Sequence, residues 1–176
     1  LAIGTNPASG TLAGTATVSA SNGVASFSGL SIDKAGTGYA LTATSAGLTS
    51  ASSGAFNVTV GAAAQLVFTT SPSNAAGSAA FGTQPVVTVQ DAGGNTVTGS
   101  SATIGLAIGT NPSSGTLAGT TTVDASSGVA TFSGLAIDKA GTGYTVTASS
   151  TGLTSATSAT AATTPASTPR SPSSRP

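Results

Sequence analysis

Few side chains in this sequence can do chemistry. The acids are four Asp: Asp33, Asp91, Asp124 and Asp138. The cations are Lys34, Lys139, Arg170 and Arg175, and the Tyr are Tyr39 and Tyr144. His, Cys, Met and Trp are absent. Without imidazole or thiolate, the usual zinc and transition-metal donor sets cannot be built. Neither can a Ser-His-Asp or Cys-His nucleophile. Paired-carboxylate hydrolysis needs two placed acids with split pKa values, and no two acids are close in sequence. A calcium ion takes about 6–8 oxygen ligands, usually with several carboxylates. One acid in the first part and Asp91, Asp124 and Asp138 in the second do not spell out such a site. Four cations give no basic surface for a phosphate backbone.

The two Asp-Lys pairs share a context. Asp33-Lys34 and Asp138-Lys139 each precede a Gly-rich turn that leads to Tyr39 or Tyr144. The pattern suits a turn Asp ahead of a Tyr whose hydroxyl bonds nearby backbone, in preference to a cation ligand. The sequence therefore predicts no catalytic, cofactor-binding or metal residues, no cofactor and no enzyme. Thr15, Thr17 and Thr120 to Thr122 suggest an ice- or glycan-facing surface, but solvent-facing β-formers are the plainer reading. Asn57-Val58-Thr59 fits a glycosylation acceptor, relevant only in a host with that machinery.

The elements that would position these residues follow from an internal repeat. Residues 1–53 align without gaps to 106–158, with 42 of 53 pairs identical. The period of 105 exceeds solenoid units of roughly 20–50 residues and matches one β-sandwich domain per repeat. Residues 62–105 occur only once. Ala, Ser, Thr and Gly make up about two-thirds of the chain, yet its formal net charge is +0 and its apolar residues are patterned. Low apolarity without net charge argues for a fold with a thin core rather than disorder. No apolar run approaches the ~20 residues of a membrane span. No secretory leader opens the chain, which starts at Leu1 and reads as a piece of something longer.

Short apolar runs between turn signals predict strands. Leu66-Val67-Phe68 is one, ended near Ser71-Pro72, and Val86 to Val89 is another. Asp91 to Asn95 is a turn. Ile104, Leu106 and Ile108 alternate, and Asn111 to Gly115 is a turn. Thr121 to Val123 and Val129 to Phe132 flank Asp124 to Gly128 as a hairpin. Leu135 and Ile137 follow, and Tyr144, Val146 and Ala148 alternate again. Seven strands in about 100 residues is the count of an immunoglobulin-like sandwich. The predicted core is Leu66, Phe68, Val87, Val89, Leu106, Ile108, Phe132, Leu135, Tyr144 and Val146.

Three motifs in order carry a family resemblance: Val87 to Val97, Gly128 to Phe132, and Lys139 to Ala148. Together they resemble the bacterial Ig-like domains of invasin- and intimin-type surface proteins. The resemblance covers about 62–158, and its back half covers 1–53. It implies an all-β chain of tandem immunoglobulin-like sandwiches with the first repeat incomplete. Thr/Gly-rich, calcium-stiffened adhesin repeats are similar in length, but the acids here are too few.

The expected divisions are 1–60 as the back portion of a first repeat, 61–160 as a nearly complete second one, and 161–176 as a Pro/Ser/Thr-rich tail. Segment 62–104 is expected to belong with 106–158. The expected role is a structural or adhesive module of an extracellular, cell-surface bacterial protein or fibre, acting as spacer or stalk. Alternatives are a filament subunit completed by strand exchange, and a glycan- or protein-binding module using turns such as 109–119. Expected partners are neighbouring repeats of the same or identical chains and a surface glycan or protein. Nucleic acid and membrane insertion are not expected.

Overall fold

A computed structural model describes residues 1–165 of the chain. Every regular element among them is a strand, gathered into several sheets in the manner of a β-sandwich. The chain forms two compact units. One comprises Leu1–Ala63 with Gln90–Val97; the other comprises Ala64–Val89 with the described residues from Thr98.

The first unit carries β1 (Ala2–Thr5), β2 (Leu12–Ala13), β3 (Ser31–Ile32), β4 (Gly36–Ala43), β5 (Ala51–Ser52) and β6 (Phe56–Val58). Strand β4 is central: β1, β5 and β6 all pair with it, antiparallel. Strands β2 and β3 form a separate pair. The second unit begins with β7 (Gln65–Thr70), β8 (Ala75–Ala76), β9 (Val86–Gln90) and β10 (Thr103–Ile108). It continues with β11 (Leu117–Ala118), β12 (Thr122–Asp124), β13 (Val129–Thr131) and β14 (Ala136–Ile137). It closes with β15 (Gly141–Tyr144), β16 (Val146–Ser149), β17 (Ala156–Thr157) and β18 (Ala161–Thr164). Its sheets run β12-β10-β16-β17, β13-β9-β7, β15-β18-β8 and β11-β14.

The core of the second unit follows the period-2 alternation of its strands. Ile104 and Leu106 on β10 are buried, as are Tyr144, Val146 and Ala148 across β15 and β16. Eight of the ten predicted core residues are buried there: Leu66, Val87, Val89, Leu106, Phe132, Leu135, Tyr144 and Val146. Phe68 and Ile108 are only half-buried. Phe68 lies on β7, the outer strand of the β13-β9-β7 sheet, and Ile108 is the last residue of β10. Phe81, Ile104 and Ile137 are buried with them.

Three other expectations are corrected. The predicted hairpin around Asp124 to Gly128 is a crossing between sheets: β12 pairs with β10, while β13 pairs with β9. Ser127 and Gly128 at φ 51° and 77° make the sharp turn, but the strands then part. Ala161–Thr164, assigned to the tail, is strand β18, with Ala161 and Thr163 buried against β15. Across that ladder Ala161 is paired with the fully buried Tyr144. The remainder of the predicted tail, 166–176, lies outside the described residues. Segment 62–104 does not stay whole, since Gln90–Val97 clusters with Leu1–Ala63.

Identical register pairs appear in both units. Leu12 pairs with Ile32 and Leu117 with Ile137; Tyr39 pairs with Phe56 and Tyr144 with Ala161; Thr42 pairs with Ser52 and Thr147 with Thr157. Burial differs sharply. Phe132, Leu135, Ile137 and Val146 are at most 1 % exposed. Their sequence counterparts Phe27, Leu30, Ile32 and Leu41 are only half-buried. The second unit covers this face with Ala64–Val89, for which the first unit has no counterpart segment.

Candidate functional site

The densest polar cluster is in the first unit, around the loop Gln90–Val97. Gly94, at φ 77°, lets the loop fold back so that the Asp91 amide donates to the Asn95 carbonyl at 2.9 Å. The Asp91 carboxylate accepts from the amides of Gly93 (2.9 Å), Asn95 (2.8 Å) and Gly61 (2.8 Å), and from Asn95 Nδ2. Burial alone would raise the Asp91 pKa. The hydrogen bonds from Asn95, Gly61 and Gly93 outweigh it and bring the carboxyl to about 2. Asn95 Nδ2 also donates to the Asp33 carbonyl at 2.8 Å, and Lys34 Nζ donates to the Gly93 carbonyl at 2.7 Å. A carboxylate surrounded by N–H donors is an anchor for backbone, since a cation would need the same lone pairs.

The two Asp-Lys turns are built alike. Asp33 Oδ1 accepts the Thr11 amide and Asp138 Oδ1 the Thr116 amide, each at 2.6 Å. The Tyr39 hydroxyl donates to the Lys34 carbonyl at 2.8 Å, and that of Tyr144 to the Lys139 carbonyl at 3.1 Å. Both rings are fully buried. Gly10 and Gly115 make room for them: a Cβ at Gly115 would lie 2.9 Å from the Tyr144 hydroxyl and 2.7 Å from Ile137 Cγ2. The motif Asn-Pro-x-Ser-Gly is thus explained by the Tyr it accommodates. The Asn111 side chain brackets the same turn, with its Nδ2 donating to the Gly115 carbonyl (2.8 Å) and its Oδ1 accepting the Gly115 amide (2.7 Å).

The remaining candidates are dispersed. Asp124 Oδ1 accepts the Thr103 hydroxyl at 2.5 Å, bracing β12 against β10. Among the described residues no group of three His, Cys, Asp or Glu side chains could hold a metal ion. Of the Thr-rich stretches only Thr122 lies in a strand; Thr15, Thr17 and Thr120 are exposed outside strands. Asn57 is exposed on β6, and its Oδ1 accepts the Gly38 amide at 3.0 Å. No described helix is long and apolar enough to cross a membrane.

Composition gave no hint of the most conspicuous surface, the uncovered apolar face of the first unit. A cavity of about 310 Å³ is lined by Leu1, Val18, Phe27 and Leu48, among others. A second, of about 380 Å³, is lined by Leu12, Leu30, Ile32, Leu41 and Phe56. Leu48 and Val24 are 73 % and 63 % exposed. The signal that locates this face is the repeat itself, because residues 62–105 have no earlier counterpart.

No family model matches the chain, and no curated protein does. Among solved structures, the chain is similar to a β-glucuronidase (GUS) from Parabacteroides merdae, with a TM-score of 0.40 and 19 % identity. The similarity covers 62 % of this chain and 14 % of that one.

Proposed function

We propose that the chain is a structural module of an extracellular bacterial surface protein or fibre, an Ig-like sandwich repeated every 105 residues as a spacer or stalk. The observation that carries this reading is the recurrence of the same strand pairs, 105 residues apart, in both units. The polar side chains act on backbone, as expected of a scaffold. The small-residue, Cys-free, Lys-poor composition suits an exported bacterial protein. A near-neutral surface limits nonspecific electrostatic adhesion. Exchange of strands between copies is a weaker reading: lending Ala64 to Gln90 fills one face and empties another, so apolar burial is conserved rather than gained.

The test is extension of the whole chain, tethered by its ends, in optical tweezers. A load-bearing second unit releases its ~100 residues in one step, roughly 300 Å of contour at about 3.3–3.6 Å per residue. Smooth extension without a step contradicts a mechanical role. So does a glycan array on which binding is abolished by substitutions confined to 109–119.

A further inference from the structure

We infer that the open face of the first unit is a docking surface for an extended, apolar-alternating β segment of the type Gln65–Gln90, supplied from outside these two units. The inference rests on the two units being versions of one module and not on the mechanical role.

The second unit shows what such a segment does. The Leu66 amide donates to the Thr154 carbonyl, and the Thr154 amide to the Ala64 carbonyl, each at 2.9 Å. The Phe81 amide donates to the Leu135 carbonyl at 2.9 Å, and Gln84 Oε1 accepts the Leu135 amide at 2.9 Å. The Phe132 amide donates to the Pro85 carbonyl at 3.2 Å. Val87 then pairs with Ala130 along β9 and β13. Every receiving position has a counterpart in the first unit: Thr49, Leu30, Phe27 and Ala25, set in nearly the same sequence. There the two cavities lie along this face, and Ala25 is exposed where Ala130 is fully buried. The sequence at 24–28, equivalent to β13 and its flank, forms no strand because it has no β9 to pair with.

The occupant must therefore bring two things. It needs unpaired strand edges, to extend 24–28 and to reach Leu30 and Thr49. It also needs alternating large apolar residues to fill the cavities, as Leu66, Val87 and Val89 do in the second unit. A second copy of this chain is a poor donor, because its own segment is already buried, with Leu66 at 3 % exposure and Val87 and Val89 at 0 %. A free segment of the same chemistry gains that burial outright.

The test uses the full chain and a synthetic peptide of residues 64–90, with a scrambled peptide as control. A second arm fuses residues 62–105 ahead of Leu1. Amide hydrogen exchange is read by mass spectrometry. The expected result is saturable protection of residues 24–32, with at least about tenfold slowing, while 129–137 stays as it was. Phe27→Asp removes the protection, while exchange at the Gly10 amide, which donates to Asn6 Oδ1 at 2.7 Å, reports that the rest of the unit persists. Protection in either arm, absent with the scrambled peptide, supports the inference. Protection in neither arm overturns it. So does concentration-dependent dimerisation of the chain alone that already protects 24–32, because the occupant is then a second copy.

Discussion

Phe27 and Phe132 sit in the same local sequence, Gly-Val-Ala-x-Phe-Ser-Gly-Leu, yet truncating them should have very different costs. Phe132 is 1 % exposed within the closed second unit. Phe132→Ala removes a fully buried ring and leaves a void, a change that costs about 3–5 kcal/mol. For a unit of this size each kcal/mol is worth about 4–8 °C, so its melting point falls by ~12 °C or more. Phe27 is half-buried at the mouth of a cavity already open to solvent. Removing it forfeits part of a transfer term of about 1.5–3 kcal/mol and creates no new enclosed void, so Phe27→Ala costs ~1 kcal/mol. The assay is urea unfolding of ring-labelled protein followed by NMR. Each unit contains one Tyr, Tyr39 or Tyr144, and both rings are fully buried, so the two signals report the units separately. Equal losses for the two variants, or a loss under about 1 kcal/mol for Phe132→Ala, would refute the claim that only one face is covered.

The Asp91 carboxyl titrates near 2 in the folded chain against an ordinary 3.8. Its contribution of about 2 kcal/mol is therefore full above pH ~4 and lost as pH falls toward 2; Asp91→Asn should remove it and flatten that acid limb in the Tyr39 signal. Tyr144→Phe deletes the hydroxyl bond to the Lys139 carbonyl and should cost about 0.5–1.5 kcal/mol in denaturant melts, with Tyr39→Phe similar in the first unit. Gly115→Ala forces a methyl group against the Tyr144 hydroxyl and Ile137, and calorimetry should show a loss of about 1–3 kcal/mol.

Most of the strand scaffold was legible because apolar alternation and turn residues are local signals. Val86 to Val89, the Asp91 to Asn95 turn and the Ile104–Leu106 alternation all stand where those signals put them. Phe81 was not legible. It lies in a Gly- and Ala-rich loop without periodicity, and only the long-range bond to Leu135 reveals its place. Strand β18 was missed for the opposite reason. Ala161 to Thr164 lacks a large side chain, so only its pairing with β15 and β8 reveals it. The Asp124 to Gly128 turn looked like a hairpin because sequence shows the turn but not which sheet each flank joins. At the polar positions, Asp33 and Asp138 could be assigned to turns from their spacing to Tyr. The convergence of donors on Asp91 could not, since the Gly61 amide comes from 30 residues away in sequence.

The two units separate what is encoded locally from what needs a complete core. The Asn6 and Asn111 brackets, the Asp33 and Asp138 bonds to Thr amides, and the Tyr hydroxyl bonds recur with nearly unchanged lengths. The Leu41 amide reaches Ser53 Oγ at 2.9 Å, as the Val146 amide reaches Ser158 Oγ at 3.0 Å. All of these bonds persist in the first unit although its apolar face is open. The anchors therefore form without the closing strands, and on the docking proposed above the open face would meet an incoming segment already ordered. Preorganisation lowers the ordering cost of association, so most of the apolar burial gained by an incoming segment remains as affinity.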